Sequence, residues 1–143
     1  MASNEGPEAP GAEIAKALER YVAAWRAGDL AALVACYHDD FTLHYGGRSA
    51  LAGDHRGRPA ALRVLAEVGR RTSRRLVAIV DVMAGQQRGA VIAREAFQRG
   101  GLTAELDRIF VYTVRDGKLH ECWVYDWDQE LVDRFLADGG PAR

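Results

Sequence analysis

Four long segments in the C-terminal half of the chain alternate like β-strands, and this pattern constrains the fold more than any other feature. They cover residues 75–84, 90–98, 102–114 and 118–127, and short glycine-containing turns separate them. Turns this short join neighbouring antiparallel strands, so the pattern predicts a four-stranded meander. Because long strands cannot bury both faces by themselves, helices from elsewhere in the chain must cover one face of the sheet.

Apolar residues at helical spacing in the N-terminal half predict those helices. Gly28 ends the first helix, and Asp29 is placed to cap the second. The three expected apolar stripes are Ile14, Leu18, Tyr21, Val22 and Trp25, then Leu30, Leu33, Val34 and Tyr37, then Leu62, Leu65 and Val68. A short strand at residues 41–45 precedes the third helix, which starts at Pro59. Asp128 is expected to cap a last helix that buries Leu131, Val132 and Phe135.

Together these elements predict one α+β domain over residues 12–138, a size typical of a single domain. We expect a cone-shaped, curved antiparallel sheet packed on N-terminal helices, with a short C-terminal helix. Residues 1–11 and 139–143 are rich in glycine, proline and small side chains, so a disordered leader and tail are expected there.

Charge and cysteine usage exclude several classes of protein. The chain has 19 basic and 20 acidic residues, without the basic excess of a nucleic-acid binder. The basic run Arg70–Arg75 is interpreted as a solvated helix end. No apolar run approaches a membrane span and no signal peptide is visible at the start. Cys36 and Cys122 lack ligand spacing and are expected to be reduced thiols, which favours a cytoplasmic location.

Three stretches of the sequence carry a family resemblance. They are Tyr21–Leu33, His44–Arg58, and Val114–Trp123 with the following Tyr125 and Asp126. With this order of elements, the chain resembles the nuclear transport factor 2-like superfamily, and within it the SnoaL-like and ketosteroid-isomerase-like proteins. The resemblance implies a pocket between the helices and the concave sheet face. It also implies chemistry without a cofactor, in which a carboxylate or histidine moves a proton and a polar partner holds an oxyanion.

The resemblance and the strand alternation suggest three catalytic candidates. Trp123 and Tyr125 share one strand face, which the resemblance implies is the pocket face. His44 is the candidate acid/base, Tyr125 the candidate oxyanion donor, and Asp107 a candidate assistant. The alternatives are a structural His44 and an outward Asp107 paired with Arg94 or Arg108, and the ion pair is favoured for Asp107.

The candidate substrate-binding residues are Tyr21, Trp25, Tyr37, His55, Arg94, Phe110 and Trp123. For the helical aromatic residues the alternative is core packing. His55 and Asp54 are expected mainly to shape a turn, and Asp126, like Asp128, to cap a helix. The four histidines lack paired spacing, so no metal site is expected.

Two reaction motifs of the family are incomplete in this sequence. In an epoxide-hydrolase pattern Arg94 would match the arginine, but Ala96 and Tyr125 stand where two aspartates are needed. A shift of one residue would instead bring Glu95 or Asp126 into the pattern. In a ketosteroid-isomerase pattern Tyr21 is a plausible donor, but Phe110 stands near the position of the protonated aspartate.

The sequence therefore leaves several functions open. The first is cofactor-independent isomerisation, cyclisation or dehydration of a hydrophobic, carbonyl-bearing small molecule. The alternatives are a ligand-binding module without chemistry and a dimeric assembly module, with epoxide hydrolysis ranked lower. Because Ile92, Val111, Val114 and Val124 cannot all point inward, we expect a homodimer that covers the outer sheet face.

Overall fold

A computed structural model describes residues 11–140 of the chain. The predicted leader, apart from Gly11, and the last three residues of the predicted tail lie outside the described residues. The helices are α1 (Ala12–Ala27), α2 (Leu30–Ala35), α3 (Arg58–Thr72) and α4 (Gln129–Leu136). The strands are β1 (Tyr37–Tyr45), β2 (Gly53–Arg56), β3 (Arg75–Ala84), β4 (Gly89–Arg99), β5 (Leu102–Arg115) and β6 (Lys118–Asp126).

The predicted α+β architecture is confirmed, with a six-stranded curved sheet in the order β2-β1-β6-β5-β4-β3. The predicted meander is the β3–β6 part, in which all neighbours are antiparallel. The sheet as a whole is mixed, because β1 runs parallel to β6. Register shifts interrupt the β3–β4 and β5–β6 pairings, and such irregularities bend strands and curve a sheet.

Two predictions about the region between α2 and α3 were wrong. Tyr37 was assigned to the second helix, but it begins β1, which starts four residues earlier than expected. Its pairing with β6 shifts register between Tyr37 and Thr42. The edge strand β2 was missed, since Gly53, Asp54 and Arg56 have little strand propensity. It pairs with β1 through Thr42–Tyr45.

The helices cover one face of the sheet, as predicted. Asp29 and Asp128 cap α2 and α4 by accepting hydrogen bonds from the backbone nitrogens of Ala32 and Leu131, each at 3.1 Å. The core between the helices and the sheet is aromatic and aliphatic, and its fully buried members include Leu18, Phe41, Leu43, Val68, Phe97, Val132 and Phe135.

Several predicted core residues are only half-buried. Leu33 in α2 and Leu62 and Leu65 in α3 belong to this group, and Leu30 is 73% exposed. All four residues line a cavity, and Leu33, Leu62 and Leu65 also pack against the core.

Candidate functional site

An interior cavity of about 290 Å³ lies between the helices and the inner face of the sheet. Its aliphatic wall comes from α2 and α3, through Leu33, Val34, Leu62 and Leu65. Its aromatic wall comes from α1 and the sheet, through Tyr21, Trp25, Tyr37, Phe41, Phe110 and Tyr112. This size and mainly apolar lining are near those of small-molecule sites.

Four of the predicted substrate-binding residues line this cavity: Tyr21, Trp25, Tyr37 and Phe110. The ring of Tyr21 packs 5.5 Å from that of Trp25, and Trp25 meets Phe110 edge-on at 5.5 Å. These aromatic residues pack together and also line the cavity, so core packing is confirmed and their binding of a substrate stays a prediction.

Three phenol groups meet at this wall. The rings of Tyr37 and Tyr112 lie edge-on to Tyr21 at 5.9 and 5.2 Å. Burial raises the pKa of Tyr21, and hydrogen bonding with Tyr112 and Tyr37 only partly offsets that effect. Burial also raises the pKa of Tyr37 and of Tyr112. At neutral pH all three groups are therefore protonated phenols, which are hydrogen-bond donors rather than bases.

Cys122 adds a neutral thiol to the cavity lining. Burial raises its pKa to about 12, so it is not a thiolate at neutral pH. Both cysteines are unpaired, as the sequence predicted.

Among the described residues that line the cavity, Arg74 alone has a charged side chain. The sequence analysis missed it, because Arg70–Arg75 was interpreted as one solvated helix end. The structure divides that run: Arg70 pairs with Glu67 on the surface of α3, and Arg71 donates a hydrogen bond to the carbonyl of Leu136 at 2.7 Å. Arg74 instead turns inward.

A buried ionic cluster adjoins the cavity behind Arg74. Arg108 is fully buried and donates hydrogen bonds to both carboxylate oxygens of Asp126, at 2.5 and 3.1 Å. It also donates to Glu95 at 3.2 Å and to the Tyr45 hydroxyl at 2.7 Å. Asp126 is therefore not the helix cap that the sequence suggested.

This cluster corrects the epoxide-hydrolase alignment. Arg94, the expected arginine, points outward and pairs with Asp107 at 2.9 Å. The buried arginine is Arg108, and its carboxylate partners are Glu95 and Asp126, the two residues that a one-residue shift would recruit. None of these three residues lines the interior cavity.

The three predicted catalytic side chains lie on the opposite face of the sheet. Cys122 and Val124 point inward on β6, so Trp123 and Tyr125 point outward, and the expected pocket face was wrong. His44 stacks on Trp123 with ring centres 4.8 Å apart. Tyr125 is 55% exposed beside them. The sheet separates these residues from the interior cavity.

Two carboxylates on the outer face of the sheet hold the imidazole ring of His44. Its Nδ1 lies 2.7 Å from Asp54 and its Nε2 lies 2.8 Å from Glu121. Burial lowers the pKa of His44, but these two carboxylates outweigh that effect and raise it overall. Both ring nitrogens can donate at once only in the imidazolium form, so the two carboxylates favour protonation of His44.

The other two predicted site residues also lie away from the cavity. Asp107 faces outward against Arg94, which is the ion-pair alternative for that residue. The His55 Nε2 lies 2.7 Å from the carbonyl oxygen of Leu51, so His55 fastens the turn before β2 and does not line the cavity. No helix within residues 11–140 has the length and apolar character needed to cross a membrane.

Comparison with known structures agrees with this architecture. Bal32a, from a soil-derived mobile gene cassette, is 25% identical over 90% of this chain and 99% of its own, with a TM-score of 0.79. An NTF2-like protein from Burkholderia xenovorans LB400 is 25% identical over 87% of this chain and 95% of its own, with a TM-score of 0.70.

A third structure bears the name of a SnoaL-like polyketide cyclase and comes from Mesorhizobium loti. It is 20% identical over 78% of this chain and 97% of its own, with a TM-score of 0.64, a likeness of fold. Curated proteins give no match. The SnoaL-like domain family matches residues 18–122, most of the chain. With the curved sheet and the helix-covered cavity, this match shows that the chain belongs to the SnoaL-like domain family, within the NTF2-like fold.

Proposed function

We propose that the interior cavity binds a compact hydrophobic molecule with a carbonyl group, and that Tyr21 donates a hydrogen bond to that carbonyl. The observation that carries the proposal is the meeting of three buried phenols at one wall of a mainly apolar cavity. An apolar cavity that contains a few convergent polar groups favours this class of ligand.

The central position of Tyr21 among the three phenols selects it as the donor. Its ring lies beside those of both Tyr37 and Tyr112, and its hydroxyl interacts with both phenols. In the proposed arrangement the Tyr21 oxygen accepts hydrogen bonds from these two phenols, and its own proton is directed at the ligand. A phenol whose acceptor lone pairs are occupied by other phenols becomes a stronger donor, because hydrogen bonds in a chain polarise one another.

The reaction that such a donor assists is proton transfer next to a carbonyl. When a proton leaves the carbon beside the carbonyl, negative charge develops on the oxygen that Tyr21 contacts. A fixed donor in an apolar cavity stabilises that charge more than it stabilises the neutral ketone. Isomerisation, cyclisation and dehydration can each proceed through such an enolate, and these are the reactions that we propose for the chain.

A second candidate function is binding without chemistry. Among the described residues that line the cavity there is no carboxylate and no imidazole to accept the proton. The nearest carboxylate that the contacts identify is Glu95, whose Oε2 lies 3.5 Å from Arg74, and Arg108 holds its other oxygen. In the catalytic proposal water or a group on the substrate accepts the proton.

Two matched probes test the proposal: 1-indanone, and indane, which lacks the carbonyl. We expect the protein to bind 1-indanone more tightly, and Tyr21→Phe to weaken 1-indanone binding about tenfold while indane binding is unchanged. Tyr125→Phe removes the same hydroxyl from an exposed outer-face tyrosine and is the control. If the two variants behave alike, or if the native protein shows no preference for the ketone, the proposal is wrong.

Deuterium exchange separates catalysis from binding. In D2O, NMR follows the loss of the protons on the carbon beside the carbonyl of 1-indanone. Catalysis predicts that the protein accelerates exchange and that Tyr21→Phe removes about 100-fold or more of that acceleration. Binding of 1-indanone without acceleration would favour the binding module.

We also propose a homodimer that covers the outer sheet face. Ile92, Ile109, Val111 and Trp123 point outward and are half-buried, and Tyr125 is exposed beside them. Sedimentation equilibrium at micromolar concentration should give the dimer mass for the native chain and the monomer mass for Val111→Glu. A monomeric native chain would contradict the dimer.

A further inference from the structure

Arg74 introduces a positive charge into a cavity whose described lining is otherwise uncharged. It follows Ser73, whose backbone is left-handed with φ of 47°, at the end of α3. This turn carries the chain from the helix into β3, and Arg74 reaches back along α3 from there. Its Nη2 donates to the carbonyl oxygen of Leu65 at 3.1 Å.

The protein contacts of Arg74 leave donor capacity for a ligand. Its Nε lies 3.5 Å from Glu95, which is long compared with about 2.8 Å for a charge-assisted hydrogen bond. Glu95 is also held by Arg108 at 3.2 Å. A guanidinium carries five N–H donors, and the contacts among the described residues engage two of them.

The positive charge lies within electrostatic range of one phenol of the cluster, Tyr37. Burial raises the pKa of Tyr37, and the charge of Arg74 acts in the opposite direction on the same hydroxyl. Arg74 and the phenol cluster therefore belong to one cavity of about 290 Å³, and a single compact molecule can contact both.

We infer that the ligand is a hydrophobic keto acid, with its carbonyl at Tyr21 and its carboxylate on Arg74. This inference rests on the proposed function and specifies its substrate class. A planar guanidinium matches a carboxylate through two parallel hydrogen bonds. The apolar walls strengthen the attraction by excluding water, since charges interact more strongly at low dielectric.

The test uses 1-indanone acids and their neutral analogues. Two probes carry a carboxylate, one on the five-membered ring and one on the six-membered ring, and each is compared with its methyl ester. We expect the native protein to bind at least one acid roughly tenfold or more tightly than its ester. If neither acid is preferred, the inference is overturned.

Two variants locate the preference. Arg74→Met should abolish the preference for the acid over its ester. Arg75→Met makes the same change in net charge at the next residue, which is exposed on β3, and should retain the preference. If the preference survives Arg74→Met, Arg74 is not the acid-binding residue.

A measurement on the native chain covers the case in which Arg74→Met does not fold. Adding the preferred acid should shift the NMR signal of the Arg74 Nε–H, and adding its ester should not. An unshifted Arg74 signal on acid binding would also overturn the inference. Failure of the proposed function is distinguishable, because 1-indanone would then bind no better than indane.

Discussion

Arg108 and Asp126 lie opposite each other on β5 and β6, and their side chains form a two-point ion pair inside the protein. The Arg108 guanidinium is fully buried and the Asp126 side chain is 3% exposed. Glu95 on β4 and Tyr45 on β1 also accept hydrogen bonds from Arg108. One arginine thus connects four strands of the sheet beside the cavity.

We predict that Asp126→Asn destabilises the protein strongly. The asparagine keeps the size of the side chain but removes the charge that compensates a buried cation. Breaking a buried pair in this way costs about 3–5 kcal/mol of the free energy of unfolding. Asp107→Asn breaks the exposed pair with Arg94 and should cost about 0–1 kcal/mol. Urea denaturation of both variants checks this, and equal losses would contradict the structural role of the cluster.

The strand alternation of the sequence contains a signal for this cluster. Arg108 has the same strand parity as Leu106, Phe110 and Tyr112, and Asp126 has that of Cys122 and Val124. Alternation divides a strand into two faces, but only tertiary packing decides which of them is inward. The aromatic residues Trp123 and Tyr125 suggested that their face of β6 points toward the pocket, which is wrong. His44 on β1 was expected at the same pocket and also lies on the outer face.

The fold was more predictable than the site for a physical reason. The hairpins between β3 and β6 and the stripes of α1 and α3 are local patterns, and they appear where expected. The parallel pairing of β1 with β6 joins residues about eighty positions apart, for example His44 and Trp123. No local pattern specifies that pairing, and the outer-face site around His44 depends on it.

We predict that His44 stabilises the protein more at low pH than at high pH. Burial lowers the pKa of His44 in the folded protein, but Asp54 and Glu121 outweigh burial and raise the pKa overall. The stabilisation is therefore complete below the ordinary histidine pKa, about 6.5, and is lost as the pH rises through the higher folded value. The difference in the free energy of unfolding between the native chain and His44→Gln should be largest near pH 5 and shrink above neutrality.

His120 provides a control of opposite sign. Burial lowers its pKa, and Arg115 and His38 lower it further. The folded protein favours neutral His120, so His120→Gln should gain stability relative to the native chain as the pH falls. A pH-independent effect of His44→Gln would contradict a raised pKa of His44.

We predict that Gly89→Ala destabilises the contact between α1 and β4. An added Cβ would lie 2.5 Å from Leu18 Cδ1 and 2.7 Å from Ile14 Cγ2, both in the packed core. It would also lie 3.1 Å from the carbonyl oxygen of Met83. Overpacking of this kind costs about 1–3 kcal/mol. Gly101→Ala is the control, since its Cβ would meet nothing within 4 Å. Thermal unfolding compares the two, and equal midpoints would contradict the close packing.

We expect the ligand to bind in the interior cavity and not in the groove that His44, Trp123 and Tyr125 line on the outer face of the sheet. NMR chemical-shift mapping with 1-indanone tests this most directly. We predict that the largest shifts fall on residues that line the cavity, such as Tyr21, Leu62 and Phe110, while those of His44 and Tyr125 stay unchanged. Shifts concentrated at His44, Trp123 and Tyr125 would contradict the claim and return the site to the outer face of the sheet.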